Sequence, residues 1–212
     1  MNQEFWALPR IAGGLLVASI LVLLAGLVMI YLQGNISGLG TGFQGVAGKG
    51  AAASALVTLY RFSIPAVLLQ LLGFGLLTIL LREAGDRAIA SPAFSLLIFS
   101  WAVATVEGSF QSSVTVWAAQ EYARTGAVPE LFEPLRRWVN DPIQRTYMIA
   151  YLVSMAGYGW AILRTQFLTP WVGWFSIGWS LTWTLLYLGP VGAPVVAVLF
   201  PLVFGGALLF AH

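Results

Sequence analysis

Glu107, in the stretch "WAVATVEGSFQSSVTVW" (101–117), and Arg61 are the two ionisable side chains that stand well inside apolar sequence. A carboxyl in such a place can take up and release a proton, hold a cation, or pair with a guanidinium. A charge at the centre of a bilayer costs between about 2.5 and more than 10 kcal/mol, so these groups face the bundle interior and are paired or protonated. Helical spacing puts Ser100, Ala104, Gln111 and either Val114 or Thr115 on the face of Glu107. Arg61 is the natural partner, because it enters the same end of the preceding span at an axial offset of about 7 Å. Pro65 removes the donor for the carbonyl of Arg61, which loosens the backbone beside the charge. One reading is an ion-pair switch or a proton-accepting carboxylate in a transport path, with Gln70 lining the same cavity. The commoner outcome for such groups is a structural pair or a neutral acid that fixes helix register; Arg61 could also snorkel to the interface alone.

Two aromatic patterns are further candidates. Tyr147, Tyr151, Ser154 and Tyr158 recur at spacings of three and four, as a polar-edged stripe or as packed aromatics with satisfied hydroxyls. Trp171, Trp174, Trp179 and Trp183 crowd one apolar stretch. Tryptophans at span ends anchor the interface, while Trp179 and Trp183 lie deeper, where they would contact a flat ligand, the protein core or a neighbouring subunit.

Other chemistries fail on residue inventory. There is no cysteine, and His212 is the only histidine, so thiolate metal sites, a Ser–His–Asp triad and bis-His haem are excluded within the chain. "GTGFQG" (40–45) matches a dinucleotide fingerprint but follows an apolar span instead of a strand, and "GKG" (48–50) lacks the rest of a phosphate loop. No metal ligand set or cofactor is evident; a pigment, quinone or lipid remains open as a ligand. One buried acid and one buried base do not make a catalytic site, so the chain is expected not to be an enzyme.

The elements that carry these residues are membrane spans. Hydrophobic residues make up 59% of the 212 and charged residues 8%, where soluble domains carry about 25% charged. The net charge of +2 gives no footprint for nucleic acid. Apolar stretches long enough for a bilayer, about 20 residues each, predict an all-α polytopic bundle of six transmembrane helices in one domain, 1–212. The spans fall at about 11–33, 54–82, 90–119, 145–164, 167–188 and 190–211, with ends uncertain by a few residues. The first run is too long for the core of a signal peptide. Residues 34–50 hold seven glycines and read as a loop; "LGPVGAP" (188–194) reads as a tight hairpin. Leu131, Leu135, Trp138 and Val139 beside Glu130, Glu133, Arg136 and Arg137 predict a short amphipathic interfacial helix over 128–140. The basic residues of the short connections, Arg10, Arg82, Arg87 and Arg164, favour an N-terminus inside.

The segments "RIAGGLLVASILVL", "LLTILLREAGDRAIA", "VATVEGSF" and "MAGYGWAILRTQFLTPWVGWFSIGWSL" resemble the small six-helix bacterial membrane proteins of domain-of-unknown-function family 4386. That resemblance covers most of the chain and implies six helices and a bacterial cytoplasmic membrane, with no assigned activity. In the family pattern an Arg stands about one turn before the span-three Glu; here Ala104 holds that place, which leaves Arg61 as the available base. The expected function is a non-catalytic accessory or scaffolding subunit of a larger membrane complex, in contact with lipid and other membrane subunits. Gly13, Gly14 and Ala18, or Gly205 and Gly206, would admit partner helices closely. The alternatives are a small proton- or solute-coupled transporter or channel using Glu107 and Arg61, and a lipid, quinone or pigment binder using the Trp-rich fifth span.

Overall fold

The computed structural model describes residues 3–32, 50–188 and 199–210, and among these every regular element is helical. The order is α1 (Gln3–Leu32), α2 (Gly50–Glu83), α3 (Ala90–Phe110), a π-helical turn (Gln111–Thr115), α4 (Val116–Thr125), α5 (Phe132–Leu135), a second π-helical turn (Arg136–Asn140), α6 (Asp141–Thr165), α7 (Pro170–Leu188) and α8 (Leu199–Leu209). Most of the glycine-rich connection, the hairpin after α7, the first part of the sixth expected span and His212 lie outside the described residues.

Four helical stretches are long and apolar enough to cross a membrane: Ala7–Leu32, Thr58–Glu83, Ala90–Thr125 and Phe132–Thr165. Their length and composition point to a membrane location. Two of the expected span boundaries change. The third stretch runs 36 residues, through the π turn and α4, about 54 Å at 1.5 Å per residue against a hydrocarbon core of about 30 Å. The exposed Glu121–Arg124 ion pair of α4, at 2.6 Å, marks the end that projects beyond it. The expected separate interfacial helix over 128–140 is instead the head of one continuous helix from Phe132 to Thr165. Pro142 supplies no N–H to the carbonyl of Trp138, and the wider π turn over Arg136–Asn140 absorbs that break without ending the helix. The amphipathic character of this head persists: Leu131, Trp138 and Val139 are exposed, Arg136 pairs with Glu133 at 3.0 Å, and the Arg137 guanidinium lies 5.7 Å from the Trp138 ring centroid.

The chain forms two compact units, and the division falls inside α1, α2, α3 and α6. The first comprises Met1–Leu21, Ala66–Trp101 and Tyr147–His212. Its hub is α6, which buries Tyr151, Leu152, Ser154, Met155, Tyr158, Ala161 and Ile162. In hydrocarbon, apolar burial supplies little drive for helix association, so close approach and interhelical hydrogen bonds take over. Both are present. Tyr158 OH lies 2.7 Å from Thr78 Oγ1 of α2, Ser154 Oγ donates to the Ala93 carbonyl of α3 at 2.7 Å, and Ser176 Oγ of α7 donates to the Met155 carbonyl at 2.7 Å. At the α6–α7 crossing Gly159 faces Gly173; at the α1–α8 crossing Gly13 faces Gly205. A Cβ on Gly13 would lie 2.7 Å from the Gly205 carbonyl oxygen, so these two glycines, expected to receive a partner, are used within the chain. Gly14 and Gly206 have nothing within 4 Å of such a Cβ and stay available.

The α2–α3 connection shows how local sequence sets the helix start. Gly85 takes φ +105°, which a side chain would resist. Asp86 then caps α3, its Oδ2 accepting from the Ile89 and Ala90 N–H groups at 3.0 and 2.6 Å. Replacing Asp86 by alanine is expected to cost about 1 to 2 kcal/mol, read as a lower midpoint of thermal unfolding in detergent.

The second unit comprises Val22–Pro65 and Ala102–Thr146. Here Gly26 admits the Phe62 ring and Gly108 the Tyr60 ring, each within 3 Å of where a Cβ would sit. This unit holds Glu107.

Candidate functional site

Glu107 lies on the buried face of α3, with 7% of its surface exposed. Gln111 Nε2 donates to its Oε1 at 3.1 Å, and Thr115 Oγ1 donates to Gln111 Oε1 at 3.0 Å. These three residues recur four apart and form a ladder on one stripe. The expected face is observed as far as Gln111, and of the two candidates for its next rung, Val114 and Thr115, the hydroxyl occupies it. Every donor in the ladder points toward Glu107. The carboxyl Oε1 is therefore an acceptor supported by a polarised chain.

Gln111 to Thr115 is also the π-helical turn. "QSSVT" lacks a strong helix former apart from Gln111, while serine, valine and threonine disfavour the helix through competing hydrogen bonds or lost side-chain freedom. Ser112 Oγ donates back to the Ser109 carbonyl at 3.3 Å, and Ser109 Oγ to the Thr105 carbonyl at 2.9 Å. Turns of this kind inside α-helices occur frequently at functional sites. The run of weak helix formers was the available signal for it, and helical periodicity alone passes over it.

Arg61 does not take the pairing alternative. It is exposed, and among the described residues no ion pair joins it to Glu107. Its long apolar stem lets the guanidinium keep solvation at the outside of the helix, which is less costly than desolvating two charges to pair them. Pro65 does lie inside α2, as the sequence implied, and Ser63 Oγ donates about one turn back to the Leu59 and Tyr60 carbonyls at 3.0 and 3.1 Å. Gln70 and Ser100 belong to the first unit. Ser100 Oγ donates to the Tyr147 carbonyl at 2.8 Å, tying α3 to α6, while Gln70 is buried with its Oε1 lacking a hydrogen-bond partner among the described residues. Ser100→Ala should lower stability by about 0.6 kcal/mol, the usual value for an interhelical bond in a membrane protein, measurable by unfolding in mixed micelles.

The aromatic candidates divide by depth. Tyr151 and Tyr158 are core residues: Tyr151 packs edge-on against Trp101 and Phe200, and Tyr158 against Phe74 at 5.1 Å. Tyr147 is half-buried. Trp179 stacks on Phe175 and meets Trp183 edge-on, each pair 5.8 Å apart, and both indoles pack against the core. Their Nε1 atoms and Ser180 Oγ are enclosed without a hydrogen-bond partner among the described residues. Trp171 and Trp174 point outward, Trp174 with 63% exposed. The four tryptophans therefore do not form a single platform for a flat ligand. The residues not legible beforehand are Thr78, Ala93 and Ser176, which complete the hydrogen bonds of α6 and become visible once the helices are paired.

Compared with known proteins, the chain matches no family model, no curated protein and no solved structure.

Proposed function

We propose that this chain is a non-catalytic integral membrane protein that serves as an accessory or scaffolding subunit of a larger membrane complex, docking through the outer face of α7. The observation that carries the reading is the pattern on that face. Trp171, Trp174, Gly178, Leu181 and Leu185 recur at spacings of 3, 4, 3 and 4, all are exposed, and Leu185 is 70% exposed. A repeat of 3.5 residues is the seam by which helices interlock side by side. Gly178, in its middle, has nothing within 4 Å of where a Cβ would stand. It forms a notch between Trp174 and Leu181 that suits a knob from another helix, and small residues at such notches are how membrane helices approach closely.

In this reading α7 and the segment ending in α8 are two further spans, which makes a six-helix bundle. The short basic connections favour an N-terminus on the cytoplasmic side. The resemblance drawn from the sequence supports a bacterial cytoplasmic membrane.

A photo-reactive residue at Leu181 tests the docking face, with the same residue at the exposed Ile79 of α2 as reference. Cross-linking at Leu181 to one discrete membrane protein is expected, and Gly178→Leu should weaken it about tenfold, the equivalent of about 1.4 kcal/mol. Labelling of lipid alone at both positions would refute the docking face.

A further inference from the structure

Glu107 is not used by the scaffold reading, and its surroundings differ from those of a carboxyl held only for packing. It is buried in a membrane helix, and among the described residues no cation pairs with it. No other acid or base lies on α3. On α2, Tyr60 stands against the neighbouring Gly108, and Arg61 is exposed. The described part of α1 in this unit carries no charged residue. Farther along the chain, the charges of α4 to α6 engage one another: Glu121 with Arg124, and Arg136 with Glu133 at 3.0 Å and with Asp141 at 3.9 Å, while Arg145 is exposed. The ionised carboxyl is thus supported by hydrogen bonds alone, from Gln111 and behind it Thr115, and protonation removes the cost of keeping an unpaired charge in hydrocarbon.

Both protonation states consequently have a structural support, and the ladder gives them a direction. Oε1 is the atom that accepts from Gln111, which leaves Oε2 to carry the proton. The ladder runs for about 12 Å along the helix, through the π-helical turn, toward the exposed Gln120. Ser112 and Ser113 add hydroxyls at the turn, and Ser113 is exposed.

We propose that Glu107 is a proton-binding site within the membrane, a carboxyl that exchanges its proton with water at the π-helical end of α3 while the helices remain packed. Its ligand class is the proton.

A lipophilic carbodiimide tests this on the wild-type protein in lipid vesicles. The reagent reacts with the protonated acid: the carboxyl proton moves to a carbodiimide nitrogen, the carboxyl oxygen bonds to the central carbon, and the acyl group then migrates to nitrogen. The stable adduct retains all atoms of both reactants and is located by peptide mass mapping. Adduct on Glu107 is expected at the acid end of the pH range and should fall as the pH is raised to the alkaline end. Gln111→Leu removes the first rung and should shift the pH at which labelling falls. Glu107→Gln should abolish the adduct. Absence of adduct at the acid end, or equal labelling at both ends, overturns the proposal, and both are read on the wild type, independent of how any variant folds.

Discussion

Gly159→Leu should prevent α6 and α7 from packing and leave little folded protein. A Cβ on Gly159 would lie 2.7 Å from the Gly173 carbonyl oxygen, 2.9 Å from Ser176 Cβ and 3.0 Å from Ile177 Cγ1, and the reciprocal Cβ on Gly173 would meet the Gly159 carbonyl at 2.8 Å. The obstructing atoms include backbone, which cannot turn aside as a side-chain end can. Overpacking a core costs about 1 to 3 kcal/mol, and this site belongs at the upper end, because forcing the helices apart also breaks the Ser176 to Met155 hydrogen bond. Gly178→Ala on the same helix is the control. Its added methyl group meets nothing within 4 Å, so the protein should be unchanged or up to about 1 kcal/mol more stable through helix propensity. Thermal unfolding followed by tryptophan fluorescence in detergent compares the two, and equal loss in both variants would remove the α6–α7 crossing from the account.

Tyr158→Ala should cost about 3 to 5 kcal/mol, as for other large aromatic truncations in packed interiors. The ring is fully buried, packs on Phe74 and Phe204, and its hydroxyl joins Thr78 and the Phe74 carbonyl. Tyr158→Phe separates the contributions. Thr78 keeps its own bond to the Phe74 carbonyl at 2.8 Å, so losing the hydroxyl leaves no stranded donor and should cost about 0.6 to 1 kcal/mol. The difference between the two variants measures ring packing directly. A phenylalanine variant as damaged as the alanine variant would show that α2 and α6 depend on the hydroxyl instead of the ring.

The sequence carried the helical class and four of the spans because about 20 apolar residues in a row have few other solutions. It carried the Glu107 stripe because spacing of four is a local property of one helix. Arg61 was left between pairing with Glu107 and reaching outward alone, because side-chain direction depends on which face of α2 meets a neighbour, and Pro65 says nothing about that. The π turn near Pro142, which joins the expected interfacial helix to the following span, was not read from the sequence, because it rests on the balance between a lost hydrogen bond and continued packing of Phe132 and Asn140, both buried. The use of Gly13 and Gly205 against each other, and of Ser154 against Ala93, depends on pairings between distant segments. One sequence does not encode such pairings in any local pattern.

The scaffold reading meets its most direct test in native mass spectrometry of the protein released from its own membranes without prior purification in harsh detergent. The chain should appear in a defined assembly with a second membrane protein, and Gly178→Leu should shift it toward the free chain. Release of the wild-type chain alone, at the mass of a single copy, would contradict the account.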